Sequence, residues 1–302
     1  MTSSPQNDRD IFESTRASRI YVLPNLMTAG NLFCGYFSVI KSITAYHAQI
    51  SADPAIQEQA SVLYAHAVWF ILAALLFDSL DGRLARIGGR ESLFGKEFDS
   101  IADIISFGIA PALLVNFLIF SPLIEYDYPV LSGLGWFFSF IYLLCAGVRL
   151  ARFNVITHPA VYSLSSKYET KDFIGLPTPA AAGLIASLVF FLNEYELRHW
   201  ALGALPLLML LTAWLMVSSV RFPSFKDLNW RTRIRFRTFI LIFGTGVLIY
   251  NFRHVGFLVL FLGYIGYGMS RHIQLQNKRR HRIREWRQRR KKNAKNSGNK
   301  GE

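Results

Sequence analysis

The stretch Leu63-Tyr-Ala-His-Ala-Val-Trp-Phe70-Ile-Leu-Ala-Ala-Leu-Leu-Phe77-Asp78-Ser-Leu-Asp81-Gly82-Arg-Leu-Ala85-Arg86 passes from an apolar run into a charged one at a single point. The apolar part, about 62–80, has the length of a membrane span. Roughly 20 apolar residues in helix cross a hydrocarbon core about 30 Å thick, and in lipid the backbone can satisfy its hydrogen bonds only internally. The stretch is therefore read as a transmembrane helix that carries carboxylates at one mouth.

Outward from it the same run length recurs. Eight runs fall at about 21–45, 62–80, 101–120, 133–151, 179–193, 200–219, 237–252 and 255–271. The fifth and seventh are short and only Arg253-His254 parts the last two, so seven or eight spans are expected. The fold class is an all-α integral membrane protein, a polytopic helical bundle of about eight transmembrane helices. Three regions follow: a cytoplasmic N-terminal segment 1–20, a transmembrane catalytic domain 21–271, and a polybasic, partly disordered cytoplasmic tail 272–302. The first twenty residues are polar and no small-residue cleavage site follows a short apolar core, so a removable signal peptide is not expected.

Composition agrees. The 302 residues are 52% hydrophobic yet carry a net charge of +13, too apolar for a basic nucleic-acid binder or a disordered polymer. The basic charge is segregated: residues 277–302 hold twelve Lys/Arg against two Glu, which is +10 of the total. The two cysteines, Cys34 and Cys145, lie within apolar runs, which argues against a disulfide framework. With eight spans, 30 of the 33 Lys/Arg fall on the side that holds both termini, leaving only Lys41, Arg198 and Arg253 elsewhere. Positive loops stay cytoplasmic. The termini and the mouth bearing Asp78 are thus placed in the cytoplasm, and a cytoplasmic (inner) membrane is the expected location.

Asp78 and Asp81 are i, i+3 at the end of the second run; Asp99 and Asp103 are i, i+4 at the start of the third. On helices each spacing puts both side chains on one face. A helix–loop–helix turn would then gather four carboxylates at the membrane boundary, where they repel unless protonated or bound to cations. Oxygen ligands favour hard ions such as Mg²⁺, Mn²⁺ or Ca²⁺, and two divalent ions match the charge. Such metal pairs suit phosphoryl chemistry. Gly82 and Ala85 are small enough to let a ligand approach the backbone, and Arg86 is placed to meet a phosphate. Any one of these could be a helix cap or a packing residue; together in one window they point to a site.

Asp78-x-x-Asp81-Gly82-x-x-Ala85-Arg86, eight residues, Gly95-x-x-x-Asp99-x-x-x-Asp103 resembles, without departure, the signature of the CDP-alcohol phosphatidyltransferases. The resemblance implies a core of six transmembrane helices, to which two C-terminal helices are added here, a homodimer, and an active site open to the cytoplasmic leaflet. It further implies that Asp78, Asp81, Asp99 and Asp103 hold two Mg or Mn ions and that Asp103 is also the catalytic base. Gly82, Ala85 and Gly95 would line the CMP moiety of the donor, with Asp81 beside it and Arg86 on phosphate or bracing the acidic cluster.

The acceptor alcohol must be read outside that motif. Family members with phosphorylated acceptors carry Asp-Pro-x-Ala-Asp-Lys, whereas this chain reads Asp99-Ser-Ile-Ala-Asp103-Ile104-Ile-Ser106-Phe-Gly-Ile-Ala-Pro111. Ile104 in place of Lys argues for an acceptor without phosphate. The pattern is similar to the branch of the family that transfers the phosphatidyl group of CDP-diacylglycerol to L-serine, releasing CMP. Two further stretches resemble that branch: Leu23-Pro24-Asn25-Leu-Met-Thr28-Ala-Gly-Asn31-Leu-Phe-Cys-Gly35, and Arg149-Leu-Ala-Arg152-Phe-Asn154 with Gly175-Leu-Pro177-Thr178-Pro179-Ala-Ala-Ala-Gly183. They add Asn25 and Thr28 as donor-binding candidates and Ser106, Arg149, Arg152, Pro177 and Thr178 as serine-binding candidates. Arg149 and Arg152 could pair in bidentate fashion with a serine carboxylate or a diphosphate, or act as positive-inside anchors. Pro24 reads equally as a helix start, and Pro177 and Pro179 as a helix interruption. Glycerol 3-phosphate, inositol and choline remain as alternative acceptors, and a cation transporter as an alternative class, although transport favours acids near the midplane. The segment Lys278–Lys295 holds eleven Lys/Arg and one Glu; anionic lipid headgroups are its expected partner, ahead of nucleic acid.

Overall fold

The computed structural model describes residues 22–87, 93–122, 129–157, 173–223 and 252–298. Helix α1 (Val22–Gln49) and α2 (Pro54–Ile87) form a long hairpin and pack along each other. Its turn is set by Asp53, whose side chain accepts from the Ala55 N–H at 2.9 Å while Pro54 opens the helix. A third, composite helix runs from α3 (Leu93–Asp103) through a π segment (Ile104–Ile109), α4 (Ala110–Val115) and a second π segment (Asn116–Phe120). Then follow α5 (Pro129–Thr157), α6 (Thr178–Glu194), α7 (Arg198–Val217) and α8 (Arg253–Gly298). A two-residue antiparallel ladder joins β1 (Phe173–Ile174) to β2 (Arg221–Phe222), pairing Phe173 with Phe222.

The protein is thus all-helical and multi-pass. Among the described residues, Pro54–Leu84, Phe94–Phe120, Gly133–Ile156 and Trp200–Val217 are long and apolar enough to cross a membrane, and Thr178–Glu194 is a shorter apolar helix. Helix α1 is less apolar because it buries Thr28, Asn31, Ser38 and Ser42 against the bundle. Run 237–252, apart from Phe252, lies outside the described residues. Helix α6, rich in Ala and Gly, is apolar on every side, and it sits accordingly among α2, α7 and α8.

Each π segment adds a residue to the helical turn and frees a carbonyl from the usual ladder. Hydroxyls from neighbouring helices take up these carbonyls: Tyr142 donates to Phe107 O at 3.0 Å and Tyr64 to Phe117 O at 2.9 Å. Between the two segments Ser139 donates to Ala112 O at 3.1 Å. The first π segment follows Asp103 directly, so it sets how the rest of that span leaves the site.

One expectation is corrected. Pro177 and Pro179 do not interrupt a helix. Pro177 has ψ 135° and stands just before α6, and Pro179 occupies its first turn, where the missing N–H has no partner to lose. Helix α8 runs on into the basic stretch as far as Gly298. That stretch is rich in Arg, Lys and Gln, good helix formers, and has no Pro or Gly between residue 272 and Gly298.

Candidate active site

The site is built where one face of α1 meets the ends of α2 and α3. Thr28, Asn31 and Gly35 lie at i, i+3 and i+7, a single stripe. Thr28 Oγ1 donates to Asp81 Oδ2 at 3.0 Å, Asn31 Nδ2 donates to Asp103 Oδ1 at 3.1 Å, and both contacts are buried. One turn on, Ser106 Oγ donates to the Asn31 carbonyl at 2.9 Å. That approach needs Gly35, because a Cβ there would overlap Ser106 down to its Cα. Helix α1 therefore holds two of the four carboxylates in place through neutral donors.

Asp78, Asp99 and Asp103 each offer a carboxylate oxygen, and these oxygens lie within 4.8 Å of one another. Asp81 adjoins them, close to Asp99 and Asp78, with only 5% of its surface exposed; Asp103 has 8%. At an effective dielectric near 20, two unit charges about 4.8 Å apart repel by roughly 3.5 kcal/mol. Three mutual pairs approach about 10 kcal/mol, on the scale of a whole domain's stability. The neutral donors, Thr28 and the Gly82 N–H on Asp81 and Asn31 on Asp103, give about 1–3 kcal/mol each to a charged acceptor, and of them only Asn31 acts on the three charges counted, so they do not offset that. The donor set is all carboxylate oxygen, which matches a hard divalent cation and not zinc. The aspartates thus fit a divalent metal.

The other expected residues divide. Asn25, one turn before Thr28, keeps its Nδ2 buried without a hydrogen-bond partner among the described residues. Gly82 is exposed with open space over its Cα, and Gly95 lies in the first turn of α3. Ala85 and Arg86 are in α2, but their side chains lie outside the described residues. Arg149 is buried, at 8% exposure; its Nη1 donates to Thr178 Oγ1 at 3.1 Å and its guanidinium stands 5.6 Å from the Phe153 ring centre. Its charge reaches Asp103 and Asp78. Arg152 is exposed and points instead to the end of α7, with Nη1 3.5 Å from Val217 O. Pro177 serves to start α6 and so to place Thr178 under Arg149.

Asn31, the partner of Asp103, was not singled out from the sequence. A buried amide three residues from Thr28 in an apolar run was the available signal.

Fold and site together define a multi-pass helical membrane protein with a carboxylate cluster, at one mouth of its bundle, that could hold a metal ion. The chain belongs to the CDP-alcohol phosphatidyltransferase family, whose model matches residues 21–222. It is 33% identical over 261 residues to the CDP-diacylglycerol–serine O-phosphatidyltransferase of Helicobacter pylori strain J99, covering 86% of this chain and 94% of that one. It is 35% identical over 204 residues to the archaetidylserine synthase of Methanothermobacter thermautotrophicus, covering 67% and 69%. A third relative, the CDP-diacylglycerol–serine O-phosphatidyltransferase of Saccharomyces cerevisiae, is 33% identical over 197 residues, 63% of this chain and 64% of that one.

Proposed function

We propose that the protein transfers the phosphatidyl group of CDP-diacylglycerol to L-serine, giving phosphatidylserine and CMP. The observation that carries this reading is the carboxylate cluster, half-buried at Asp78 and Asp99 and buried at Asp81 and Asp103, whose Asp103 is oriented by Asn31 at 3.1 Å and whose neighbour Arg149 is braced on Thr178 at 3.1 Å. Asp78, Asp81, Asp99 and Asp103 would hold two divalent ions, Mg or Mn. When bound, such ions neutralise the diphosphate and stabilise the departing phosphate oxygen.

The chain's own residues do the rest. Asp103, fixed through Oδ1, takes the proton from the serine hydroxyl. The serine oxygen then bonds to the β-phosphorus as the bond from that phosphorus to the bridging oxygen breaks, and CMP leaves. Asn25, Gly82, Ala85, Arg86 and Gly95 receive the cytidine and diphosphate. Arg149 supplies a cation for the serine carboxylate, with Ser106 and Thr178 shaping the pocket. Ile104, where phosphate-accepting relatives in the family carry Lys, supports an acceptor without phosphate.

The reading places the site on the cytoplasmic face of a cytoplasmic membrane, in a homodimer with both termini inside and the basic tail on anionic lipid. The test supplies purified protein with CDP-diacylglycerol, Mg²⁺ or Mn²⁺ and labelled serine, with glycerol 3-phosphate and inositol in parallel. Label from serine alone should enter the lipid phase. Label from another alcohol instead would overturn serine as acceptor, and absence of CMP with every alcohol would overturn the reaction.

A further inference from the structure

The reaction proposed above gives a partner to two of the three polar groups of serine: the hydroxyl meets Asp103 and the carboxylate meets Arg149. The ammonium has none. A cation taken out of water needs an oxygen acceptor, and the carboxylates are already claimed by the divalent ions and by the hydroxyl proton.

One side-chain oxygen beside Asp103 is uncommitted. Asn31 of α1 is fully buried, at 0% exposure. Its Nδ2 donates to Asp103 Oδ1 at 3.1 Å, whereas its Oδ1 is buried with no hydrogen-bond partner among the described residues. Which amide atom faces which way follows from chemistry, because an ionised carboxylate only accepts and so must meet the NH2 end. The oxygen is thereby turned to the other side of the amide.

The residue is held at two points. Ser106 Oγ donates to its main-chain carbonyl at 2.9 Å, in the space that Gly35 leaves, and Asp103 holds the far end of the side chain. The hydroxyl next along the same stripe, Thr28 Oγ1, is already committed as a donor to Asp81 Oδ2 at 3.0 Å. A buried, oriented acceptor without a donor costs stability, and such a group calls for an explanation, of which a ligand is one. That ligand must carry a proton donor or a positive charge, and a neighbouring acidic cluster favours one that carries both.

We infer that Asn31 is a specificity-determining residue: its Oδ1 accepts a hydrogen bond from the ammonium of the incoming amino acid while its Nδ2 orients the base. The inference rests on the serine reading above. A single amide then sets the nitrogen and the hydroxyl of the acceptor in register. An alcohol without the nitrogen leaves Oδ1 unpaired in a buried place and is rejected for that reason.

The test compares L-serine with 3-hydroxypropionate, which keeps the hydroxyl and the carboxylate and lacks the ammonium, on the full chain at saturating Mg²⁺ and CDP-diacylglycerol. The readout is the ratio of the two kcat/KM values from CMP release. Where 3-hydroxypropionate is not turned over, its inhibition constant against serine, divided by the serine KM, replaces that ratio. The wild type should favour serine by about a hundredfold or more. Asn31→Ala and the nearly isosteric Asn31→Leu should each lower the preference about tenfold, and either one that melts cooperatively decides the matter. An unchanged ratio would overturn the proposal, whether the rate falls alike on both acceptors, as for a residue that only orients Asp103, or the Mg²⁺ requirement alone rises, as for a metal ligand. A wild-type ratio near one would overturn it without any variant. Wild-type protein that uses no serine at all would instead sink the underlying reading.

Discussion

Two regions of this bundle bury polar groups, and they do so in opposite ways. Along the composite third span the freed carbonyls of Phe107 and Phe117 each receive a hydroxyl from another helix, as does Ala112 O between them. These donors are neutral hydroxyls matched to carbonyls, although Asn116 Oδ1 in the second π segment is buried without a partner among the described residues. At the mouth of the same span Asp78, Asp99 and Asp103 crowd within 4.8 Å, where Asn31 donates to Asp103, while Thr28 and the Gly82 N–H serve the adjoining Asp81. A matched set of buried polar groups holds a shape. An unmatched set of like charges stores a demand that only a ligand or a proton can meet. The first region therefore serves the fold, and the second fits the proposed site, although both are polar atoms in an apolar bundle.

The largest effect should come from removing whatever meets that demand. A chelator should bring CMP release to background, with recovery on adding Mg²⁺ or Mn²⁺. Under chelation Asp99→Asn should melt at a higher temperature than the wild type, because one of the mutually repelling charges is gone; a lower melting temperature would mean the cluster is internally balanced after all. Next in size is Asp103→Asn. It keeps the shape and the Asn31 contact but cannot take a proton, and should lower kcat by about a thousandfold, within the range for loss of a general base. A drop of less than about tenfold would move the base elsewhere.

A smaller effect is expected at Asn31. Replacing it with Ala removes the donor that orients Asp103 without touching the carboxylates, so kcat should fall about ten- to thirtyfold while the metal concentration for half-activation rises. If Asn31→Ala changed melting temperature and left kcat alone, the α1 stripe would belong with the structural region.

The aspartates were legible because helical spacing alone puts 78 with 81 and 99 with 103 on shared faces, and the apolar runs flanking them fix where the bundle opens. Arg149 was legible as one of two candidates. Only the folded chain separates it from Arg152, since i and i+3 diverge at a helix end where one side chain meets Thr178 and the other reaches Val217. The π segments left no trace in composition. Ile104–Ile109 reads as ordinary apolar helix, and the hydroxyls that make its geometry tolerable come from Tyr142, thirty-five residues on, and its neighbours. The placement of α8 was hidden for the same reason: Gly183 of α6 admits the Phe261 ring, and Gly268 of α8 admits that of Phe222 in β2.

The smallest functional effect should therefore come from the structural region. Tyr142 is fully buried and its hydroxyl serves the Phe107 carbonyl of the π segment. Tyr142→Phe keeps the ring and leaves that carbonyl unsatisfied in an apolar place, which should cost about 1–3 kcal/mol of stability. Asp103 is four residues before Phe107, at the far end of a turn still held by Ser106 on Asn31 O, so kcat should stay within about threefold. Thermal unfolding and CMP release measured on the same preparation separate the two. A loss of activity out of proportion to the loss of stability would show that the π segment sets the position of Asp103, and would make the boundary between the two regions lie deeper in the span than Ser106.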